Sequence, residues 1–174
     1  GTENLSCFSL TGYSGGGKKM IADYEEEPDE LLGAPRQYGL TQTHKHLKEM
    51  VKISGLKSAP AFCPVVSNFY SGMEVTVPIF KSDLKNDFNI EKIKELYKNK
   101  YNSPLVSYCD DSEDGFLSAG ILSGKDSMIV SVYGNEDRIL LVARYDNLGK
   151  GASGAAVECL NIVLGNDDTN GLDI

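Results

Sequence analysis

Both histidines of the chain, His44 and His46, fall in one word, LTQTHKHLKEM (residues 40–50), with Glu49 just beyond. Two imidazoles this close can do one of three things. On a strand, an H-x-H pair turns both rings to one face and suits zinc or iron. Here the following HLKEMVKI reads as a helix, on which residues i and i+2 diverge. With no third histidine, further ligands would have to come from Glu49 or Cys63. Alternatively, one ring works as an acid/base near neutral pH while the other has a separate polar task, with Glu49 orienting a ring or raising its pKa. The third reading is two ordinary histidines at a helix start.

A second stretch is GYSGGGKK, Gly12 to Lys19. Consecutive glycines let backbone N–H groups converge on an anion, and a following helix adds its positive end. Ser14, Gly15, Gly16 and Lys18 are the candidate contacts. The spelling approaches a P-loop, but position 19 is Lys, where that motif needs Ser or Thr to hold magnesium. A flexible turn with a solvated lysine pair is the plain alternative.

The third stretch is DNLGKGASGAAV, Asp146 to Val157. Gly151, Ala152, Ser153 and Gly154 permit close approach of another backbone or a flat ligand, with Lys150 as the charge at that mouth. Simple helix–sheet packing would use the same residues.

The elements that must position these stretches are legible in the pattern. LSCFSL predicts a strand, the glycine-rich turn follows, and a helix starts near Lys18 and ends in the acidic YEEEPDE. Pro28 and Pro35 keep the next stretch irregular. A second helix is predicted from an N-cap at Thr43 to about Ile53, stopped by Gly55. GMEVTVPIF alternates as a strand, and Ile90, Ile93 and Tyr97 give NIEKIKELYKNKY an apolar helical stripe. FLSAGILS, SMIVSVYG and DRILLVARYD read as strands joined by turns at Gly124 and Gly134-Asn135. SGAAVECLNIVLG is an apolar helix from Ser153, and NDDTNGLDI a polar tail expected to fray. Consecutive strands with inserted helices predict an α+β domain with a mixed, largely antiparallel sheet.

The chain has 174 residues with a formal net charge of −8, which disfavours nucleic acid and anionic membrane as partners. It has no apolar run of about 18 residues, and its opening residues do not read as a signal peptide, so none is expected. Its four cysteines, Cys7, Cys63, Cys109 and Cys159, form no C-x-x-C pair and are expected to be reduced, cytoplasmic and mostly buried.

The words TGYSGGGK, YGLTQTHKHLKEM, SNFYSGMEVTVPIF, YNSPLV and DNLGKGASGAAVECLNIVLG, in that order, resemble the C-terminal half of N-acetyl-γ-glutamyl-phosphate reductase, in the shorter of its two sequence types. The resemblance implies a glyceraldehyde-3-phosphate-dehydrogenase-like catalytic and dimerisation domain over residues 1–165, followed by the tail 166–174. It implies an NADP-dependent reduction of N-acetyl-glutamyl 5-phosphate to N-acetylglutamate 5-semialdehyde in arginine biosynthesis, through a cysteine thioester, by a cytoplasmic homo-oligomer. It assigns His44 as acid/base with Glu49 orienting it, and His46 to substrate binding. Ser14, Gly15, Gly16 and Lys18 would face the substrate, and Lys150, Gly151, Ala152, Ser153 and Gly154 the nicotinamide side; no metal is implied. The family's nucleophile sits in a word like Asn-Pro-Gly-Cys, upstream with the nucleotide-binding half. Neither that word nor an opening G-x-G-x-x-G is present here. The chain is therefore expected to be a piece that is inactive alone, with one flank of its last helix meant for the missing domain. The competing readings are a non-catalytic dimerisation or regulatory module, and a metal-dependent hydrolase built on His44, His46 and Glu49.

Overall fold

The computed structural model describes residues 4–26, 29–85 and 87–174; Pro28 lies outside them. The strands are β1 (Ser6–Gly12), β2 (Arg36–Gln37), β3 (Ala61–Ser67), β4 (Met73–Phe80), β5 (Val106–Tyr108), β6 (Met128–Gly134) and β7 (Arg138–Tyr145). The helices are α1 (Gly17–Glu25), α2 (His46–Ser54), α3 (Ile90–Lys100) and α4 (Gly154–Leu164). One seven-stranded sheet runs β2-β3-β1-β4-β7-β6-β5. The pairs β1–β3 and β5–β6 are parallel and the rest antiparallel, so the sheet is mixed and largely antiparallel, as predicted.

Helices α1, α2 and α3 are each held by an apolar cluster that includes sheet residues. Leu47 and Met50 of α2 pack with Cys7, Phe62, Val75 and Val77. Ile90 and Ile93 of α3 seat on Val132 and Ile139. Tyr24 of α1 packs with Leu32 and Val66. Strand alternation turns Phe8, Leu10 and Leu140 to the opposite face, where they stay well exposed. Gly134 has φ of 119°, a left-handed value glycine tolerates, and Asn135 Oδ1 accepts from the N–H groups of Asp137 and Arg138, closing the β6–β7 hairpin.

Several local expectations change. The second helix begins at His46, with Lys45 as its N-cap. Thr43 does not cap it; its hydroxyl bonds that of Thr41 at 2.8 Å. FLSAGILS is a run of turns outside any strand. Asp114 and Gly115 both have positive φ, and Phe116 and Ile121 are exposed with no strand beside them. Strands β2, β3 and β5 carry no clear period-2 signal. Pro60, just before β3, and Pro64 within it hide the strand; Pro64 sits where its absent N–H faces only the side of the two-residue strand β2. The tail is tied down: Asn161 Nδ2 donates to the carbonyls of Asp168 (3.3 Å) and Asn170 (2.8 Å), and Lys125 pairs with Asp173 at 2.7 Å. All four cysteines are free, but only Cys7 is buried.

Candidate functional site

A cavity of about 1000 Å³ opens on the α2 side of the sheet, with Cys7, Thr11, Phe62 and Val75 on its floor. Three walls surround it: Ser14–Gly17, the loop entering α2 with His44, His46 and Glu49, and the segment after β7 with Asn147, Gly151 and Ala152. Residues from all three sequence stretches thus meet at one site.

The late start of α2 changes the histidine pair. His44 precedes the helix, so the rings converge: they meet edge-on with centroids 4.7 Å apart. His44 Nδ1 accepts from the backbone N–H of His46 at 3.3 Å, and its ring lies 5.3 Å from that of Phe62. His44 titrates below its ordinary value, because its ring is partly desolvated and because His46 and Lys45 add positive charge; Glu49 pulls the other way and is outweighed. Burial, and then Cys63, push the Cys7 thiol up, so it is a poor nucleophile at neutral pH. Among the described residues no group of three His, Cys, Asp or Glu side chains is placed to hold a metal ion.

The glycine-rich turn is braced from the third wall. Asn147 Nδ2 donates to Ser14 Oγ at 3.0 Å, and Asn147 Oδ1 accepts from Gly72 N–H at 2.8 Å. Gly12 is required there, since a Cβ would collide with the backbone of Phe69 and Tyr70. Behind Asn147, Asp146 is 1% exposed and accepts from Ser71 Oγ and from the N–H groups of Gly124, Leu148 and Gly149.

Not every residue marked in the sequence reaches the cavity. Lys18 is exposed on the first turn of α1 and is not part of the lining. Lys150 is paired with Glu158, Ser153 Oγ donates to the Leu148 carbonyl, and Gly154 is packed against Asp126. Lys150, Ser153 and Gly154 thus serve the junction around a π-helical turn, Gly149–Ser153, that leads into α4. Two lining residues escaped the sequence reading. Arg36, on β2, donates from Nη2 to Tyr24 Oη at 3.1 Å, its guanidinium is 5.4 Å from the Tyr24 ring centroid, and its buried Nε has no partner among the described residues. Its only signal was a lone cation in the proline-bounded PRQY. Asn147 stands in DNLGKG, just before the small residues of that stretch.

A family model described as semialdehyde dehydrogenase, dimerisation domain, matches residues 1–147. The chain is 42% identical over 182 aligned positions to N-acetyl-gamma-glutamyl-phosphate reductase 2 of Nostoc sp., covering 97% of the chain and 56% of that protein. It is 40% identical over 169 positions to the N-acetyl-gamma-glutamyl-phosphate reductase of Brucella ovis, covering 92% and 54%. The chain thus spans about half the length of the curated relatives it matches. The crystal structure of aspartate semialdehyde dehydrogenase II from Vibrio cholerae superposes with a TM-score of 0.70 at 17% identity, covering 95% of the chain and 56% of that one. Aspartate semialdehyde dehydrogenase from Francisella tularensis gives 0.66 at 15%, covering 94% and 58%. The fold is that of the glyceraldehyde-3-phosphate-dehydrogenase-like C-terminal domain of semialdehyde dehydrogenases. With the matched region running through all seven strands, the chain belongs to the semialdehyde dehydrogenase dimerisation-domain family.

Proposed function

We propose that this chain is the catalytic and dimerisation part of an N-acetyl-γ-glutamyl-phosphate reductase. It would work with a nucleotide-binding half that brings the nucleophilic cysteine. The carrying observation is the single cavity that gathers His44, His46, Glu49, Arg36 and the Ser14–Gly17 turn on one face of the sheet. The two reductases it resembles at 40–42% identity support the substrate class.

The chemistry divides cleanly among these groups. Thiol attack on the acyl carbon expels phosphate and leaves a thioester; reduction then gives the aldehyde and returns the thiol. The glycine turn offers backbone N–H groups, and Arg36 a charge with one unpaired donor, to an anionic phosphate or carboxylate. His44 takes up the thiol proton and delivers a proton to the substrate oxygen. His46 and Ser14 contact substrate, and Glu49 steadies the positive charge on His44. The nicotinamide cofactor, NADPH in this reading, supplies the hydride. The residues here fit only its reactive end: Gly151 and Ala152 give the cavity a low wall suited to a flat ring, and Arg36 and Lys45 are the cations on the lining. Two further surfaces fit the assembly. Phe8, Leu10 and Leu140 expose a sheet face suited to a second copy, while Leu160, Ile162 and Val163 of α4 stay exposed and suit the nucleotide-binding half. Free cysteines fit a reducing, cytoplasmic setting.

The test compares the isolated chain with the same chain joined to the nucleotide-binding half of the Nostoc relative. Phosphate-dependent oxidation of N-acetylglutamate semialdehyde should appear only in the joined protein. Turnover by the isolated chain, or none in a folded joined protein, would overturn the proposal.

A further inference from the structure

The loop that carries His44 is fastened by a side chain that imitates a strand. β2 pairs with β3 through Arg36↔Val66 and Gln37↔Val65, and the Tyr38 N–H continues to the Pro64 carbonyl at 3.0 Å. The ladder then requires a partner for Phe62, but the chain turns away at Gly39, where φ is 65°. Gln42 takes the vacant rung. Its Nε2 donates to the Phe62 carbonyl at 2.7 Å, and its Oε1 accepts from the Phe62 N–H at 2.9 Å. A carboxamide has the donor and acceptor of a peptide group, so it closes both bonds at once.

This arrangement has a conformational cost. Gln42 has φ of 54°, a left-handed backbone that residues other than glycine seldom adopt. The Gln42 N–H bonds the Gly39 carbonyl at 3.0 Å, so the strained turn is itself closed. Two residues later comes His44, whose ring rests on the Phe62 ring. The same residue, Phe62, is therefore gripped through its backbone by Gln42 and touched through its ring by His44.

We propose that Gln42 is a positioning residue that sets the His44 ring over the cavity. The role rests on the reading of His44 as the acid/base, but the ring's placement can be measured without catalysis. Around His44, the titratable groups that face it are His46, Lys45 and Glu49 from its own loop and α2, and Tyr38 from the end of β2, whose ring centroid is 5.9 Å away.

The 174-residue chain has two histidines, so the His44 imidazole can be followed by NMR with little overlap. Two variants separate the bonds from the strain. Gln42→Gly removes the carboxamide and relieves the positive φ. Gln42→Glu keeps the acceptor for the Phe62 N–H but loses the donor. In Gln42→Gly, the His44–Phe62 ring contact should vanish and the His44 titration midpoint should rise toward the ordinary value of about 6.5. The melting temperature should hold within about 4 °C. Gln42→Glu should fall between this variant and the parent. Unchanged His44 contacts and titration in both variants would overturn the proposal. So would a loss of all cavity signals together with a collapsed melting temperature in both, which would make Gln42 a general structural residue. Because these readouts need no turnover, they stand apart from the activity test of the reductase reading.

Discussion

His44 uses its Nδ1 as the acceptor for the backbone N–H of His46, at 3.3 Å. That bond exists only while Nδ1 is bare, so the neutral ring carries its proton on Nε2. Partial desolvation, His46 and Lys45 all disfavour a second proton, and Glu49 only partly offsets them. An NMR titration of the chain should therefore find His44 below the ordinary value of about 6.5, with the Nε2–H tautomer above its midpoint. Lys45→Met should raise that midpoint and Glu49→Gln should lower it. Because the folded value is the lower one, the unfolded chain binds the extra proton first. This group's contribution is intact above the unfolded value and is lost as pH falls toward the folded one. A midpoint at or above the ordinary value would remove this account.

Asp146 is the buried carboxylate that ties the third wall to the rest. Burial raises its pKa, but hydrogen bonds from Gly124, Ser71, Gly149 and Leu148 prevail, and the net shift is downward. Asp146→Ala leaves those donors without an acceptor and should cost at least about 3 kcal/mol. The melting temperature should drop by roughly 6–12 °C. In the parent chain, the stabilisation by Asp146 is full above the ordinary aspartate value near 3.9 and lost as pH falls through the lower folded value. Acid unfolding of Asp146→Ala should lack that component, and a parent-like thermal and acid profile would contradict the assignment.

The sequence exposed those parts of the fold whose patterning is local. β4, β6 and β7 alternate or run apolar, α3 has its stripe, and Gly55 and Gly165 stop α2 and α4 with φ of 69° each. It concealed elements defined by their neighbours. β3 carries two prolines' worth of misleading signal at its start and middle, and is a strand because β1 pairs with it over its whole length. β2 is two residues long, too short for any period, yet it delivers Arg36. The site was legible where rare residue types cluster, as in the histidine word. Lys18 and Lys150 are charges beside glycines in the sequence, but the exposure of the first and the ion pair of the second are set by tertiary structure.

Arg36 should act in binding. Its guanidinium lies against Tyr24, which is 8% exposed and accepts one of its hydrogen bonds, so the charge is held at the cavity wall before any ligand arrives. In the assembled reductase, Arg36→Met should raise KM for the acyl phosphate by about ten- to a hundredfold, the worth of a charge-assisted hydrogen bond of about 1.5–3 kcal/mol. Tyr24→Phe keeps the ring under Arg36 and loses only the phenol, so its effect on KM should be about threefold to tenfold, near one ordinary hydrogen bond. Equal effects of the two variants, or a loss confined to kcat, would place Arg36 elsewhere in the chemistry.

The two histidines should separate kinetically. Both line the cavity, but His44 is the more enclosed, lies against Phe62 and has the depressed titration. A thiol from the nucleotide-binding half would meet a neutral imidazole, able to take its proton. The resulting thiolate would then favour the imidazolium needed when the substrate oxygen gains charge. General acid/base catalysis contributes roughly a hundred- to ten-thousandfold in rate. His44→Asn in the assembled reductase should lower kcat by about that factor, leave KM near the parent value and remove one limb of the pH–rate profile. His46→Asn should mainly raise KM, and Glu49→Gln should cost less than His44→Asn because Glu49 acts through the ring's charge. A His46→Asn variant that loses the pH limb while His44→Asn keeps it would exchange the two roles, since the two rings meet edge-on at the same cavity with centroids 4.7 Å apart.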